Sequence, residues 1–217
     1  NMHTNEWDKH WANEFLSVNR IFKFYRKYIM SNALSFFFEK YFPNEGLFVE
    51  CGSGSSLTSY MIKKHKRKLI ALDLSNVGLQ EARKVKNLDF YIQANTLKLP
   101  FKLDSVDGIW NLGVMEHFTQ KEIDMAMQEY VRVLKKGSYV VLFWPPVYSS
   151  TGFAYKTIEK LIKAVSGKKF RFYPDEISRL RSKKEAKIIM KRNGFRSCKV
   201  YFPWRNCFGD LVVVAKK

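Results

Sequence analysis

The sequence predicts an α/β fold: a doubly wound, mostly parallel seven-stranded sheet that ends in an antiparallel hairpin. Three observations predict it. Between residues 47 and 144, short apolar runs alternate with segments of helical period, the pattern of a parallel sheet with helices on both faces. The first run ends in the glycine-rich turn Cys51-Gly52-Ser53-Gly54, which lets the backbone reverse tightly at a strand end. The last two apolar runs are separated only by Phe202 to Gly209. That gap is too short for a crossover helix, so the two strands run antiparallel.

Taken in order, Glu6 to Phe42 reads as helical. Phe15, Val18, Phe22, Tyr25 and Ile29 form a stripe at helical spacing, and Trp7 and Trp11 share a face. Pro43-Asn44-Glu45-Gly46 breaks the helix. Strands are expected at Leu47–Glu50, Lys68–Asp73, Asp89–Ile92, Val106–Trp110 and Tyr139–Trp144, with helices over Ser55–His65, Val77–Lys84 and Lys121–Leu134 between them. Pro145-Pro146 stops the fifth strand, and Ser149 to Arg181 is a basic, aromatic insert without clear period. Ser182-Lys183-Lys184-Glu185 reads as a capping box opening a helix that ends near Asn193-Gly194. Phe195–Tyr201 and Asp210–Ala215 close the sheet. Right-handed crossovers place the C-terminal ends of the parallel strands on one edge, where ligands bind.

A chain of 217 residues suits one domain with a sizeable core. No apolar run approaches the ~18–20 residues of a membrane span, although the aromatic N-terminal helix allows peripheral membrane contact as an alternative to packing on the sheet. Cys51, Cys198 and Cys207 lack metal-ligand spacing, no metal site is expected, and a reducing, cytoplasmic setting is the simpler reading. The net charge is +18, and from Thr151 onward 18 Lys or Arg face 5 Asp or Glu. Such a field attracts anions. Nucleic acid is a candidate partner from charge alone, against the plainer reading of a solubilising surface.

The chemistry-bearing motifs lie at the strand ends. The segment Glu50-Cys51-Gly52-Ser53-Gly54 admits several readings. A dinucleotide site would want a third glycine, where Leu57 stands, and a phosphate loop would want Gly-Lys-Ser/Thr, which is absent. A tight turn with no ligand is the structural alternative. Glu50 would repel a pyrophosphate and suits a ligand carrying a positive group. Asp73 ends the second strand about twenty residues further on, where a carboxylate can accept from a ribose diol or cap a helix.

With these residues the chain resembles the class I S-adenosylmethionine-dependent methyltransferases, whose first motif runs acidic-x-Gly-x-Gly. Further matches are Leu99-Pro100-Phe101, the segment Asp104 to Phe118, and Arg132-Val133-Leu134-Lys135-Lys136-Gly137, which together cover residues 47 to 144 in the family's order. The resemblance implies a Rossmann-like fold with S-adenosylmethionine as methyl donor and S-adenosylhomocysteine as product. It also implies roles for individual residues. Glu50 holds the ammonium end, and the Cys51-Gly52-Ser53-Gly54 turn borders the methionine part. Asp73 binds the ribose and Leu74 packs on the adenine. Asn95, Thr96 and Leu97 lie along the adenine, with Asn95 in place of the family's Asp. Asn111, Leu112 and Gly113 pass beneath the cofactor.

His117 is the candidate general base; the alternative is that Glu116 and His117 start the next helix and shape the pocket floor. The Glu-x-x-Glu-His metal cluster of some RNA-end methyltransferases is missing its first Glu, since Gly113 stands there. The Asn/Asp-Pro-Pro-aromatic motif of base-methylating enzymes is also absent after the fourth strand. Residues 1–45 are expected to form a helical cover and 46–217 the methyltransferase domain, with 146–181 as a basic lid. The expected acceptor is a small or glycan-like anionic molecule gripped by Arg171, Arg179 and Arg181. An RNA or other polymer acceptor, or a catalytically silent cofactor-binding module, are the alternatives. Oligomeric state is not legible.

Overall fold

The computed structural model describes residues 7–9, 11, 23–150, 152–153, 157 and 176–217. After a π-helical turn at Tyr25–Met30 come α1 (Ser31–Tyr41), β1 (Glu45–Cys51), β2 (Lys66–Asp73), α2 (Asn76–Ala82), β3 (Phe90–Gln93) and β4 (Val106–Leu112). Then follow α3 (Gln120–Val133), β5 (Leu134–Trp144), α4 (Lys183–Arg192), β6 (Ser197–Tyr201) and β7 (Leu211–Lys216). The seven strands form one sheet in the order β3-β2-β1-β4-β5-β7-β6. Pairing is parallel from β3 through β5, and β7 runs antiparallel to both β5 and β6. The expected α/β architecture and its closing hairpin are present.

Strand periodicity divides the core into two layers. Val49, Ile109, Val140, Leu142, Val213 and Ala215 face one side, with Met127 and Tyr130 of α3 and Ile189 of α4. Phe48, Trp110, Val141, Phe143 and Val212 face the other, against Leu34, Phe37 and Phe38 of α1 and Leu79 of α2. The N-terminal helix is thus built into the core. Of the stripe expected there, Tyr25 and Ile29 are described, while Phe15, Val18 and Phe22 lie outside the described residues.

One buried cation ties α1 to the sheet. The Arg67 side chain has no solvent exposure, and its guanidinium donates to Pro43 O, Lys63 O and Phe42 O, to Glu39 Oε1 at 2.5 Å and to Asn44 Oδ1. It also stacks over Phe38, 4.9 Å from the ring centroid. All five of its N–H groups can thus be satisfied, as a buried guanidinium requires.

Helix starts follow local chemistry. Thr119 and Glu122 form a reciprocal capping box at α3. At α4, Ser182 accepts from Glu185 N as expected, but the Glu185 carboxylate reaches Arg181 N instead of closing the box. One expected element is absent. Ser55–His65 is not an α-helix and contains only a 3₁₀ turn at Leu57–Ser59. Ser56 there adopts a left-handed conformation, φ 50°, while the Thr58 and Ser59 hydroxyls donate to Glu50. Short polar side chains bound this way compete with helix formation.

Candidate functional site

The C-terminal ends of β1, β2 and β4 open onto a cavity of about 220 Å³. Its floor begins at the glycine turn, where Gly52 N and Ser53 N both donate to Leu72 O, at 2.8 and 3.0 Å, and clamp the turn to the end of β2. Gly54 has φ +49°, and a β-carbon there would fall 1.9 Å from Cζ2 of Trp11. From beneath, a β-carbon on Gly78 of α2 would come within 3.1 Å of the Gly54 Cα. The turn is therefore held between an indole and a helix, which only glycine permits at both positions.

Asp73 lines the cavity at the end of β2. Its Oδ2 accepts from Gly54 N and its Oδ1 from Ser75 N, each at 2.7 Å. Burial raises its pKa, and those backbone donors oppose the rise. Each oxygen of a carboxylate has two acceptor sites, so one per oxygen remains for a vicinal diol. Leu74, Asn95, Thr96 and Leu97 line the adjoining wall, and the Asn95 side-chain oxygen accepts from Leu97 N at 2.8 Å. Gly52, Leu112, Gly113 and His117 also line the cavity. A carboxylate with acceptor positions open, the Leu74 and Leu97 side chains and the bare Gly52 backbone fit an adenosine-bearing ligand.

Several expected residues sit behind this surface. Glu50 is buried, accepts from Ser59 Oγ at 2.8 Å and Thr58 Oγ1 at 3.3 Å, and does not border the cavity, although Thr58 does. Burial pushes Glu50 up to about 7, against the pull of those hydroxyls and of Arg26. Cys51, Ser53 and Gly54 also lie below the lining. Asn111 is fully buried, its amide donating to Tyr130 OH at 3.2 Å. His117 belongs to a 3₁₀ turn, Met115–His117, ahead of the Thr119 cap, not to α3. Its ring meets Trp7 edge-on, with centroids 5.0 Å apart.

The N-terminal segment reaches over the cavity: Trp7, Trp11, Tyr25, Arg26 and Met30 all line it. Asp8 accepts from Ser75 Oγ at 2.5 Å, and the Arg26 guanidinium lies 5.5 Å from the centre of the Trp11 ring. A further wall contains Glu116, Glu122, Glu176, Arg179 and Asp210, with Pro145, Ser149 and Gly152. Arg179 and Glu116 are among the residues expected at the cavity, whereas Glu122, Glu176 and Asp210 are not. Residues 176–181 lie along this wall because Ile177 N and Ser178 N donate to Glu116 O, and Leu180 pairs with Pro145 to Val147. Arg179 is ion-paired with Glu176. Arg181 is exposed and outside the cavity, and Arg171 falls outside the described residues. Among the described residues, no group of three or more His, Cys, Asp or Glu could hold a metal ion, and no helix is long and apolar enough to cross a membrane.

Residues 49–142 match the family model described as a methyltransferase domain. No curated protein matches the chain. Among solved structures, the chain is similar to an S-adenosylmethionine-dependent methyltransferase from Thermotoga maritima, described as a possible histamine N-methyltransferase. That likeness has 21% identity and a TM-score of 0.66 over 98% of each chain. A candidate S-adenosylmethionine-dependent methyltransferase from Methanococcus maripaludis gives 15% identity and a TM-score of 0.67, over 97% of this chain and 94% of that one. A possible exported protein from Bordetella parapertussis gives 11% identity and a TM-score of 0.63, over 87% of this chain and 65% of its own length. These structural likenesses carry the fold, and the family match spans the strand ends that build the cavity.

Proposed function

We propose that this chain, whose residues 49–142 match a methyltransferase domain, is a class I S-adenosylmethionine-dependent methyltransferase and methylates a small acceptor that enters beside His117. The observation that carries this is one cavity whose lining runs from Asp73 and Gly52 past His117 to Arg179 and Asp210. Donor and acceptor therefore share a space bounded on both sides, by Trp7 and Trp11 and by residues 176–179. An RNA chain or other polymer would need an open groove.

Asp73 accepts from the ribose hydroxyls. Leu74 and Leu97 pack on the adenine, while Asn95 and Thr96 border its edge. Gly52 keeps the methionine path clear of a side chain, over Leu112 and Gly113, while Gly54 lets the turn pass beneath Trp11. Glu50 acts from behind: it fixes Thr58 at the cavity wall and supplies negative potential toward the ammonium end. When bound, the donor supplies an activated methyl group, so the protein's task is alignment and exclusion of water. His117, its ring held edge-on by Trp7, is the base that takes the acceptor's proton, a role worth roughly 10²–10⁴ in rate.

In this reading residues 1–45 form the cover and 46–217 the methyltransferase domain, with the 146–181 insert as the acceptor-side wall. Three free cysteines suit a reducing compartment such as the cytoplasm. Titration calorimetry with S-adenosylhomocysteine tests the reading. Binding should weaken at least tenfold in Asp73→Ala, because hydrogen bonds to a charged group contribute about 1.5–3 kcal/mol each. No heat from the unaltered protein with either the methyl donor or its product would sink it. Binding without turnover on any small acceptor would instead mark a silent module.

A further inference from the structure

We propose that the acceptor is a small protonated amine, its ammonium head held by Glu116 and Asp210 beside the Glu176–Arg179 pair. This rests on the methyl-transfer reading above and names the substrate class of that same cavity.

The sign of the wall is the first argument. On the acceptor side Glu116, Glu176 and Asp210 meet, among the described residues, one guanidinium, Arg179, and Glu176 already pairs with it. The second is an orphaned atom. Glu116 is 5% exposed and lines the cavity, and its Oε2 is buried with no hydrogen-bond partner. A buried carboxylate oxygen in that state is expensive unless a donor arrives. The third is rigidity. Ile177 N and Ser178 N bind Glu116 O at 2.6 and 2.9 Å, and Trp144 Nε1 donates to Ser178 O at 2.7 Å. Gly152 leaves room for the Arg179 guanidinium, which lies 2.4 Å from where a β-carbon would sit. The Glu116 backbone is thus fixed to the 176–179 wall, and Asn206 Nδ2 donates to Asp210 O at 3.1 Å.

Burial pushes Glu116 well up and Asp210 up to about 7, and in both cases neighbouring carboxylates add to the rise while Arg179 opposes it. That is the response of anions short of a counter-cation. His117 and Glu122 also line this part of the cavity. The acids do not gather into a metal-binding set among the described residues, so an organic cation fits better than a metal ion. An anionic acceptor, expected from the net charge, would find no spare cation on this wall among the described residues, because Arg179 is already paired with Glu176.

The chemistry balances. The ammonium gives one proton to His117, and the freed nitrogen lone pair forms the bond to the methyl carbon. The carbon–sulfur bond breaks with its electron pair going to sulfur. The product leaves as a methylated ammonium, and His117 returns its proton to solvent.

The test is calorimetry on the full chain saturated with S-adenosylhomocysteine. The probes are 2-phenylethylamine and tryptamine, each compared with its carboxylate counterpart, 3-phenylpropanoate or indole-3-propanoate. The amines should bind at least tenfold tighter than the matched carboxylates. Glu116→Gln and Asp210→Asn should each reduce amine binding at least tenfold while S-adenosylhomocysteine affinity stays within threefold. Equal binding of the two series, preference for the carboxylates, or no binding of either at millimolar concentration overturns the proposal. The comparison on the unaltered protein decides the matter even if a variant does not fold. Failure of S-adenosylhomocysteine itself to bind would instead overturn the methyltransferase reading.

Discussion

Replacing Gly54 by alanine tests whether Trp11 is seated on the glycine turn after β1. The new β-carbon would lie 1.9, 2.3 and 2.8 Å from Cζ2, Cη2 and Cε2 of Trp11, far inside van der Waals contact. The turn has little room to retreat, because α2 backs it so closely that a β-carbon on Gly78 would come 3.1 Å from the Gly54 Cα. Trp11, only 6% exposed, must yield. Releasing an indole that buries ~150–250 Å² would forfeit at most about 4–6 kcal/mol, and a partial retreat about half of that. The left-handed backbone, φ +49°, adds about 1 kcal/mol for any L-residue. Gly54→Ala should therefore cost about 3–5 kcal/mol in the unaltered chain but only about 1 kcal/mol once Trp11→Ala has removed the ring. Urea unfolding of the four proteins of this cycle, followed by far-ultraviolet circular dichroism, gives the coupling directly. A Gly54→Ala cost near 1 kcal/mol in both backgrounds would show that Trp11 does not rest on the turn.

Two further outcomes follow from buried charge. Arg67→Ala removes the guanidinium that serves Pro43, Phe42 and Lys63 carbonyls together with Glu39 and Asn44. It should cost at least about 3 kcal/mol, as breaking a buried pair does, and an unchanged unfolding midpoint would contradict that account. Glu50 has its pKa raised by burial from 4.5 to about 7, so the folded state holds its proton more tightly than the unfolded one. Its contribution to stability is fully present below about pH 4.5 and is lost as pH rises through about 7, a difference of about 3 kcal/mol. In the absence of ligand, Glu50→Gln should remove this part of the decline. Parallel stability–pH curves for the two proteins would refute it.

The sheet was legible because its signals are local. The continuous apolar runs of β1, β4, β5 and β7 mark strands buried on both faces, and the short gap between β6 and β7 sets their antiparallel pairing. Glycines 52 and 54 and Asp73 could be placed at the strand ends for the same reason. The helix expected at Ser55–His65 failed because Thr58 and Ser59 are committed to a carboxylate on the preceding strand, a contact that no period reveals. Asn111 could be assigned to the end of β4, but its amide turns into the core toward Tyr130, which depends on α3. Glu116, Glu176 and Asp210 come from a turn, the end of a long insert and the start of the last strand. Only the finished fold makes them neighbours.

That distance in sequence explains how the net charge and the proposed amine site can point to acceptors of opposite sign. The +18 excess is an arithmetic property of mostly solvated lysines and arginines, and at physiological salt each is screened beyond about 8 Å. The acceptor-side acids act at contact range from a partly desolvated wall, where an unpaired charge weighs far more. The long-range field governs what collects near the surface, while the cavity governs what stays. The two can carry opposite signs in one molecule, so the substrate's charge has to be read from the few groups that would touch it.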